Sequence, residues 1–180
     1  LNPSSAASDV YKRQVQNLSH QLGSKPGMMI VKKTDGVADW FVYHQSLGAP
    51  ENFLYLNETS AQSSNANVWA AEPTDSDFIV GVSGGVNNAG DNYIAYLFAD
   101  TPGVIKCGYY VGTGELDQVV DIGFKPQWIL NKVDKSGKNW VIMDSKRGLD
   151  STSNTGFLYP NDTTAEIDLS LIHISEPTRL

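Results

Sequence analysis

The chain has 180 residues, with 13 Lys and Arg against 20 Asp and Glu, and a formal net charge of −7. A negative chain repels phosphate backbones and anionic headgroups, so we expect neither nucleic acid nor a membrane surface as a partner. The single cysteine, Cys107, excludes an internal disulfide. No apolar run approaches the roughly 18 residues that a membrane-spanning helix needs.

The two ends of the chain carry one short DNA word read from opposite strands. Residues 9–14 can be written GAT-GTG-TAT-AAG-AGA-CAG, and the reverse complement of these codons translates as Leu-Ser-Leu-Ile-His-Ile, which is residues 169–174. The word resembles the transposon end of tagmentation sequencing libraries. We therefore predict that residues 1–14, expected to be disordered, and residues 169–180 are adapter-derived. The natural termini and any signal peptide would then be hidden; the alternative is that both ends are natural.

Apolar residues come in short clusters separated by Gly, Asn, Asp, Ser and Thr, a spacing typical of strands and turns. In chain order, the clusters predict strands at residues 28–33, 40–44, 53–56, 78–82, 93–98, 104–111, 128–132, 140–144 and 157–159. Residues 59–71 read as a loop with at most one helical turn. The Gly-containing turns at residues 34–36 and 134–137 are each predicted to close a hairpin.

These two hairpins belong to an internal repeat. The segment from residue 22 recurs at an offset of 100, and residues 53–61 recur at an offset of 104. The residues identical at the first offset include Pro26 and Pro126, Trp40 and Trp140, and Gly48 and Gly148, all predicted to serve the fold.

The repeat predicts two related β units, residues 15–121 and residues 122–168. The second would be truncated before any counterpart of residues 78–99. We expect the two units to form an antiparallel β-sandwich, concanavalin-like or jelly-roll-like, because each sheet needs a neighbour against which to bury its apolar face.

Motifs that would carry chemistry are missing from the sequence. It contains no nucleophile elbow, phosphate-binding loop, His-Glu-x-x-His or paired cysteines, so we expect no catalytic residue, metal or cofactor. His44 aligns with Asp144, so the two copies share no catalytic group there. The sequons at Asn57 and Asn161 either accept glycans or terminate the preceding strand through side-chain hydrogen bonds to the turn.

The candidate ligand site lies in segments outside the repeat. Trp69 stands in a loop-like stretch, and residues 84–92 form a polar tip. An exposed aromatic ring beside Asn and Asp side chains is the composition of a shallow sugar site. We therefore predict a glycan site at Trp69, Asn87, Asn88 and Asp91, although ordinary loop chemistry accounts for the same residues.

Several strings of the chain together resemble a known family. These are residues 25–33 (KPGMMIVKK), 39–44 (DWFVYH), 47–48 (LG), 53–57 (FLYLN) and 93–99 (YIAYLFA). They resemble a domain of unknown function found in marine and environmental bacteriophage tail-fibre and other virion structural proteins. The resemblance implies an all-β module, often next to concanavalin-like lectin domains, with no established catalytic residues.

The resemblance has one departure inside the repeat, since Gln127 stands where the first copy has Gly27. We expect a non-catalytic structural or receptor-binding module of an extracellular phage virion. Its expected partners are a host-surface glycan and other virion subunits or copies of itself. Two alternatives stay open: a carbohydrate-active enzyme or its accessory carbohydrate-binding domain, and a bacterial surface adhesin.

Overall fold

The computed structural model of the protein describes residues 14–114, 118–149 and 154–170. Within these ranges the chain forms eleven strands and one 3₁₀ helix. The strands are β1 Gln16–Ser19, β2 Pro26–Lys33, β3 Trp40–His44, β4 Asn52–Tyr55, β5 Ser63–Ser64, β6 Asp77–Val80, β7 Tyr93–Ala99, β8 Trp128–Lys132, β9 Trp140–Asp144, β10 Asn154–Leu158 and β11 Ile167–Ser170; the 3₁₀ helix is Ser145–Arg147.

The strands pair in three sheets, and every described strand pairing is antiparallel. The sheet orders are β5-β4-β3-β2-β7, β11-β10-β9-β8 and β1-β6. The predicted antiparallel all-β fold is confirmed, and its sheets are consistent with a β-sandwich. The narrower choice between a concanavalin-like and a jelly-roll-like sandwich stays a prediction.

The chain divides into two compact units. The first comprises the described parts of Leu1–Tyr55 and Gln62–Gln118, and the second those of Leu56–Ala61 and Val119–Leu180. The division falls close to the predicted one at residues 121 and 122. It differs in one segment, because Leu56–Ala61 follows β4 of the first repeat copy yet belongs to the second unit.

The core of the first unit lies on one face of its five-stranded sheet. Successive strand residues point to opposite faces, so Met29 and Val31 of β2 share a face, and both are fully buried. The side chains that complete this core come from β3, β4, β6 and the loops: Phe41, Tyr43, Phe53, Val68, Trp69, Phe78, Val80 and Val86. Burying each large apolar side chain contributes about 1.5–3 kcal/mol.

The opposite face of the same sheet is also buried at its centre. Ile30, Val42 and Leu54 lie on three neighbouring strands and are each buried. This two-sided burial explains why β2 and β3 read as continuous apolar runs rather than as alternating ones.

The repeat is visible in the strand register. In the first unit β2 and β3 pair from Met28 with His44 to Lys32 with Trp40, and in the second β8 and β9 pair at the same positions plus 100. Both predicted hairpins are therefore confirmed. The register also matches for β3 with β4 against β9 with β10, and for β4 with β5 against β10 with β11.

The turn after the second strand of each copy needs a left-handed residue. Gly48 has φ 87° and Gly148 has φ 91°, a region that side chains with a Cβ rarely adopt. This requirement explains why both copies keep glycine there.

The predicted strand at residues 104–111 is wrong. Asp100 Oδ1 accepts a hydrogen bond from Cys107 N at 2.6 Å, and its Oδ2 accepts one from Lys106 Nζ at 2.6 Å. These bonds, with a left-handed Gly103 at φ 73°, fold the apolar run back into a loop. Aromatic and β-branched content predicted a strand here, but an acidic side chain took the backbone donor that a strand partner would need.

The chain ends are described only in part. Residues 1–13 and 171–180, where most of the predicted adapter segments fall, lie outside the described residues. Gln14 O accepts a hydrogen bond from Asn87 Nδ2 at 2.8 Å, and β11 continues to Ser170. The adapter origin of the ends stays a prediction.

Candidate functional site

Trp69 lies in the hydrophobic core of the first unit. Its side chain is 1% exposed, and its ring meets that of Tyr43 edge-on at a centroid distance of 6.2 Å. A backbone bridge between Trp69 and Val80 holds the loop against β6. The prediction that Trp69 is an exposed aromatic platform is wrong, because burying so large a ring outweighs the freedom of the loop that carries it. A sugar cannot stack on a ring at this depth.

The polar tip that contains the other predicted ligand residues is held by its own hydrogen bonds. Asn87 is 8% exposed, and its Nδ2 donates to Gly81 O at 2.7 Å. Asn88 Nδ2 donates to Asp91 Oδ2 at 2.7 Å, and Lys33 Nζ donates to the same oxygen at 2.6 Å. The hydrogen bond to Asp91 raises the pKa of Lys33. Glycan binding by Asn88 and Asp91 stays a prediction, and burial removes Asn87 from a surface site.

The second unit contains a shallow polar cavity of about 370 Å³. The segment between β4 and β5, the β8–β9 turn and the turn after β10 meet around it. Its lining consists of amide, hydroxyl and carboxylate side chains: Asn57, Glu58, Thr59, Ser60, Ser136 and Asn161. An open, polar cavity of this kind suits a hydroxylated ligand bound by hydrogen bonds rather than an apolar one.

Hydrogen bonds fix the walls of this cavity. Glu58 Oε2 accepts from Ser60 Oγ at 2.9 Å, and the backbone oxygen of Thr59 accepts from Lys138 N at 3.3 Å. Asn161 Oδ1 accepts a hydrogen bond from Trp140 N, the first residue of β9, at 2.8 Å. The walls are therefore preorganised, which lowers the entropic cost of holding a ligand.

Only one feature of the sequence points to this cavity. Asn57 and Asn161 are repeat-equivalent, at an offset of 104, and both line it. Glu58, Ser60 and Ser136 were missed, because isolated polar residues in turns have no spacing that distinguishes a binding wall from a solvated loop. None of the four residues predicted as a ligand site lies in this lining.

His44 and Asp144 occupy equivalent positions and perform the same structural task. His44 Nδ1 accepts a hydrogen bond from Ser46 N at 3.2 Å, and Asp144 Oδ1 accepts one from Lys146 N at 2.9 Å. Burial lowers the pKa of His44, which keeps its ring neutral and able to accept. In both copies, therefore, the side chain at this position accepts a hydrogen bond from the backbone N–H two residues later in the turn.

Across residues 14–114, 118–149 and 154–170, no three His, Cys, Asp or Glu side chains converge closely enough to hold a metal ion. The same part of the chain contains no helix with the length and apolar character required to cross a membrane.

Burial also sets the character of the single cysteine. It raises the pKa of the Cys107 thiol to about 11, so the thiolate is scarce near neutral pH. Cys107 is therefore a packing residue, as a small buried hydrophobe would be.

The chain can be placed by its similarity to known families. Residues 11–174 match the family described as "Domain of unknown function (DUF7483)". No curated protein and no solved structure matches the chain. The family match spans both repeat copies and reaches into both end segments. The chain therefore belongs to the DUF7483 family of domains of unknown function.

Proposed function

We propose that this chain is a non-catalytic module of a bacteriophage virion or tail-fibre protein and that it binds a host-surface glycan in the polar cavity of the second unit. The observation that carries the glycan part is the cavity lining, in which two amides, three hydroxyls and one carboxylate surround an open space. The virion part is supported by the resemblance of residues 25–57 and 93–99 to phage structural proteins.

The lining supplies both kinds of hydrogen-bonding group that a sugar needs. Hydroxyl side chains of Thr59 and Ser136 donate and accept, and the Glu58 carboxylate accepts from neighbouring sugar hydroxyls. A carboxylate makes stronger hydrogen bonds than a neutral acceptor, so Glu58 is the expected anchor. Because the cavity is shallow, a chain end or a side branch of a polysaccharide fits it better than an enclosed small molecule.

The enzyme alternative is less well supported by the same geometry. Glycoside hydrolysis ordinarily uses two carboxyl groups on opposite sides of the bond to be cleaved. Glu58 is the one carboxylate in the cavity lining. The net charge of −7 disfavours nucleic acid and anionic membranes as partners and leaves glycans, other virion subunits or further copies of the chain.

The test is glycan-array binding by the full chain, followed by calorimetry with a glycan that binds. Glu58→Ala and Ser136→Ala should each weaken binding about tenfold, because each removes a hydrogen-bonding partner of the sugar. Asn88→Ala is the matched control at the polar tip and should leave the affinity unchanged.

Three results would contradict the proposal. If Asn88→Ala weakened binding and the cavity variants did not, the site would be the polar tip. If no glycan bound, the binding role would fail. Cleavage of a bound glycan, abolished by Glu58→Gln, would favour the enzyme alternative.

The virion part has its own test in the neighbouring genes. Genes for tail assembly beside the coding sequence would support the virion part, and genes for cell-surface export would favour a bacterial adhesin.

A further inference from the structure

β8 is an edge strand in the sheet of the second unit, whereas the equivalent strand of the first repeat copy lies inside its sheet. β8 corresponds to β2 at an offset of 100, and its pairing with β9 repeats that of β2 with β3. In the first unit β2 has a strand on each side, β3 and β7. In the second unit, within the described residues, β8 pairs with β9 alone.

The backbone groups on the outer edge of β8 can be identified from the ladder. Ser145 N donates to Gln127 O at 2.9 Å, so residue 127 and every second residue after it face β9. Hydrogen-bonding direction alternates along an antiparallel strand. The N–H and C=O groups of Trp128, Leu130 and Lys132 therefore point to the outer edge.

The first unit shows what occupies the equivalent edge. There the counterparts of these residues, Met28, Ile30 and Lys32, pair with Phe98, Tyr96 and Ile94 of β7. The occupant is an antiparallel strand of seven residues without a charged side chain.

Side chains on β8 also lack the cover that their counterparts have. Trp128 is 51% exposed at one end of the strand, and Val133 just beyond the other end is 50% exposed. A strand edge that has no partner among the described residues and that exposes apolar side chains marks a surface for pairing.

From this repeat geometry we propose that the outer edge of β8 binds an antiparallel β7-type strand from another repeat unit of the family. Such a strand consists of aromatic and aliphatic residues, as Tyr93–Ala99 does. Its central residue lies opposite Leu130, as Tyr96 lies opposite Ile30. The outward backbone groups of β8 provide the affinity and Trp128 provides apolar contact, the usual division in strand addition. The proposal is independent of the glycan site.

The test uses the full chain, labelled with ¹⁵N, and a synthetic peptide with the sequence of residues 91–99 flanked by lysines for solubility. Amide hydrogen exchange is measured with and without the peptide. The amides of Trp128, Leu130 and Lys132 should exchange fast in the free protein and at least about tenfold more slowly with the peptide. The amide of Ile129, which faces β9, should not change.

The control peptide has proline at the position of Tyr96, which removes the central backbone donor and should abolish protection. The amides of Met28 and Ile30 are the internal reference, since β7 already protects them. Equal protection by the control peptide, or no protection at millimolar peptide, would overturn the proposal. So would slow exchange of the three β8 amides in the free protein, and a concentration-dependent protection without peptide would assign the edge to a second copy instead.

Discussion

The two repeat copies share one strand register but differ in how deeply it is buried. Met29 of β2 and Tyr43 of β3 are both buried in the first unit. Their counterparts Ile129 and Met143 are only half-buried in the second. The same hairpin therefore forms in both repeat copies, whereas its burial depends on which other residues pack against it.

The cover over the first hairpin comes from residues outside the repeated strings. Trp69, Phe78, Val80 and Val86 close the inner face of the five-stranded sheet. Register is thus a property of the repeated hairpin, and depth of burial is a property of its cover.

The largest expected effect is the removal of the cover's central side chain. Trp69→Ala should lower the free energy of unfolding of the first unit by about 3–5 kcal/mol, because it leaves a cavity where the indole packed. Urea denaturation followed by circular dichroism measures it.

A conservative change at the same position separates packing from hydrogen bonding. In the described part of the chain, Trp69 Nε1 has no hydrogen-bond partner, so Trp69→Phe should cost clearly less than the alanine change. If Trp69→Ala left the unfolding midpoint unchanged, the ring would not be part of the core and the contrast between the copies would disappear.

Equivalent truncations in the two hairpins test the contrast directly. Met29→Ala should cost about 2–5 kcal/mol, because its side chain is 0% exposed. Ile129→Ala removes a side chain of similar size from a half-buried position and should cost about half as much or less. Thermal and urea unfolding of both variants measure the difference. Equal costs would show that the second hairpin is covered as well as the first.

Much of the fold could be predicted from sequence because a strand is indicated by the residues within it and by the turn residues on either side. Trp40–His44 and Trp140–Asp144 were predicted with their observed bounds, since aromatic and β-branched clusters between turn residues report strand packing directly. The short β1 and β5 were missed, because polar segments acquire strand geometry only from the partners they meet.

The candidate site could not be predicted in the same way. The polar neighbours of Trp69 in sequence predict a surface position, but its burial depends on contacts with Val80 and Tyr43, which lie on two separate strands. The cavity lined by Glu58 and Ser136 likewise joins residues nearly eighty positions apart, and nothing local links them. A site assembled from residues far apart in sequence is visible only after the chain has folded.

The glycine that differs between the copies offers a third test. A Cβ on Gly27 would lie 2.7 Å from the Cβ of Cys107, whereas Gln127 at the equivalent place is exposed. Gly27→Gln should therefore destabilise the first unit by about 1–3 kcal/mol through overpacking. The reverse change, Gln127→Gly, should cost only about 0.5–1 kcal/mol, from backbone entropy. Chemical denaturation measures the free energy of unfolding of both variants. If Gly27→Gln left it unchanged, the loop that carries Cys107 would move aside at little cost.

The smallest expected effect concerns the turn acceptor, which titrates differently in the two copies. Burial lowers the pKa of His44 below its ordinary value of 6.5. As the pH falls, the unfolded chain takes up this proton before the folded one, so stability is present above pH 6.5 and is lost below it. For one group the slope cannot exceed about 1.4 kcal/mol per pH unit.

In Asp144, partial burial opposes ionisation, but hydrogen bonds from Arg147 outweigh it and lower the carboxyl pKa below 3.8. Its contribution is therefore present above that pH and is lost only in stronger acid. His44→Asn keeps an acceptor for Ser46 N without a titratable ring. Between pH 7.5 and 5.5, wild type should lose stability relative to His44→Asn, whereas Asp144→Asn should leave the pH dependence in that window unchanged. Parallel pH profiles for wild type and His44→Asn in urea unfolding would show that the His44 ring charges as easily in the folded chain as in the unfolded one. The two turn acceptors would then not differ in their effect on stability in this pH window.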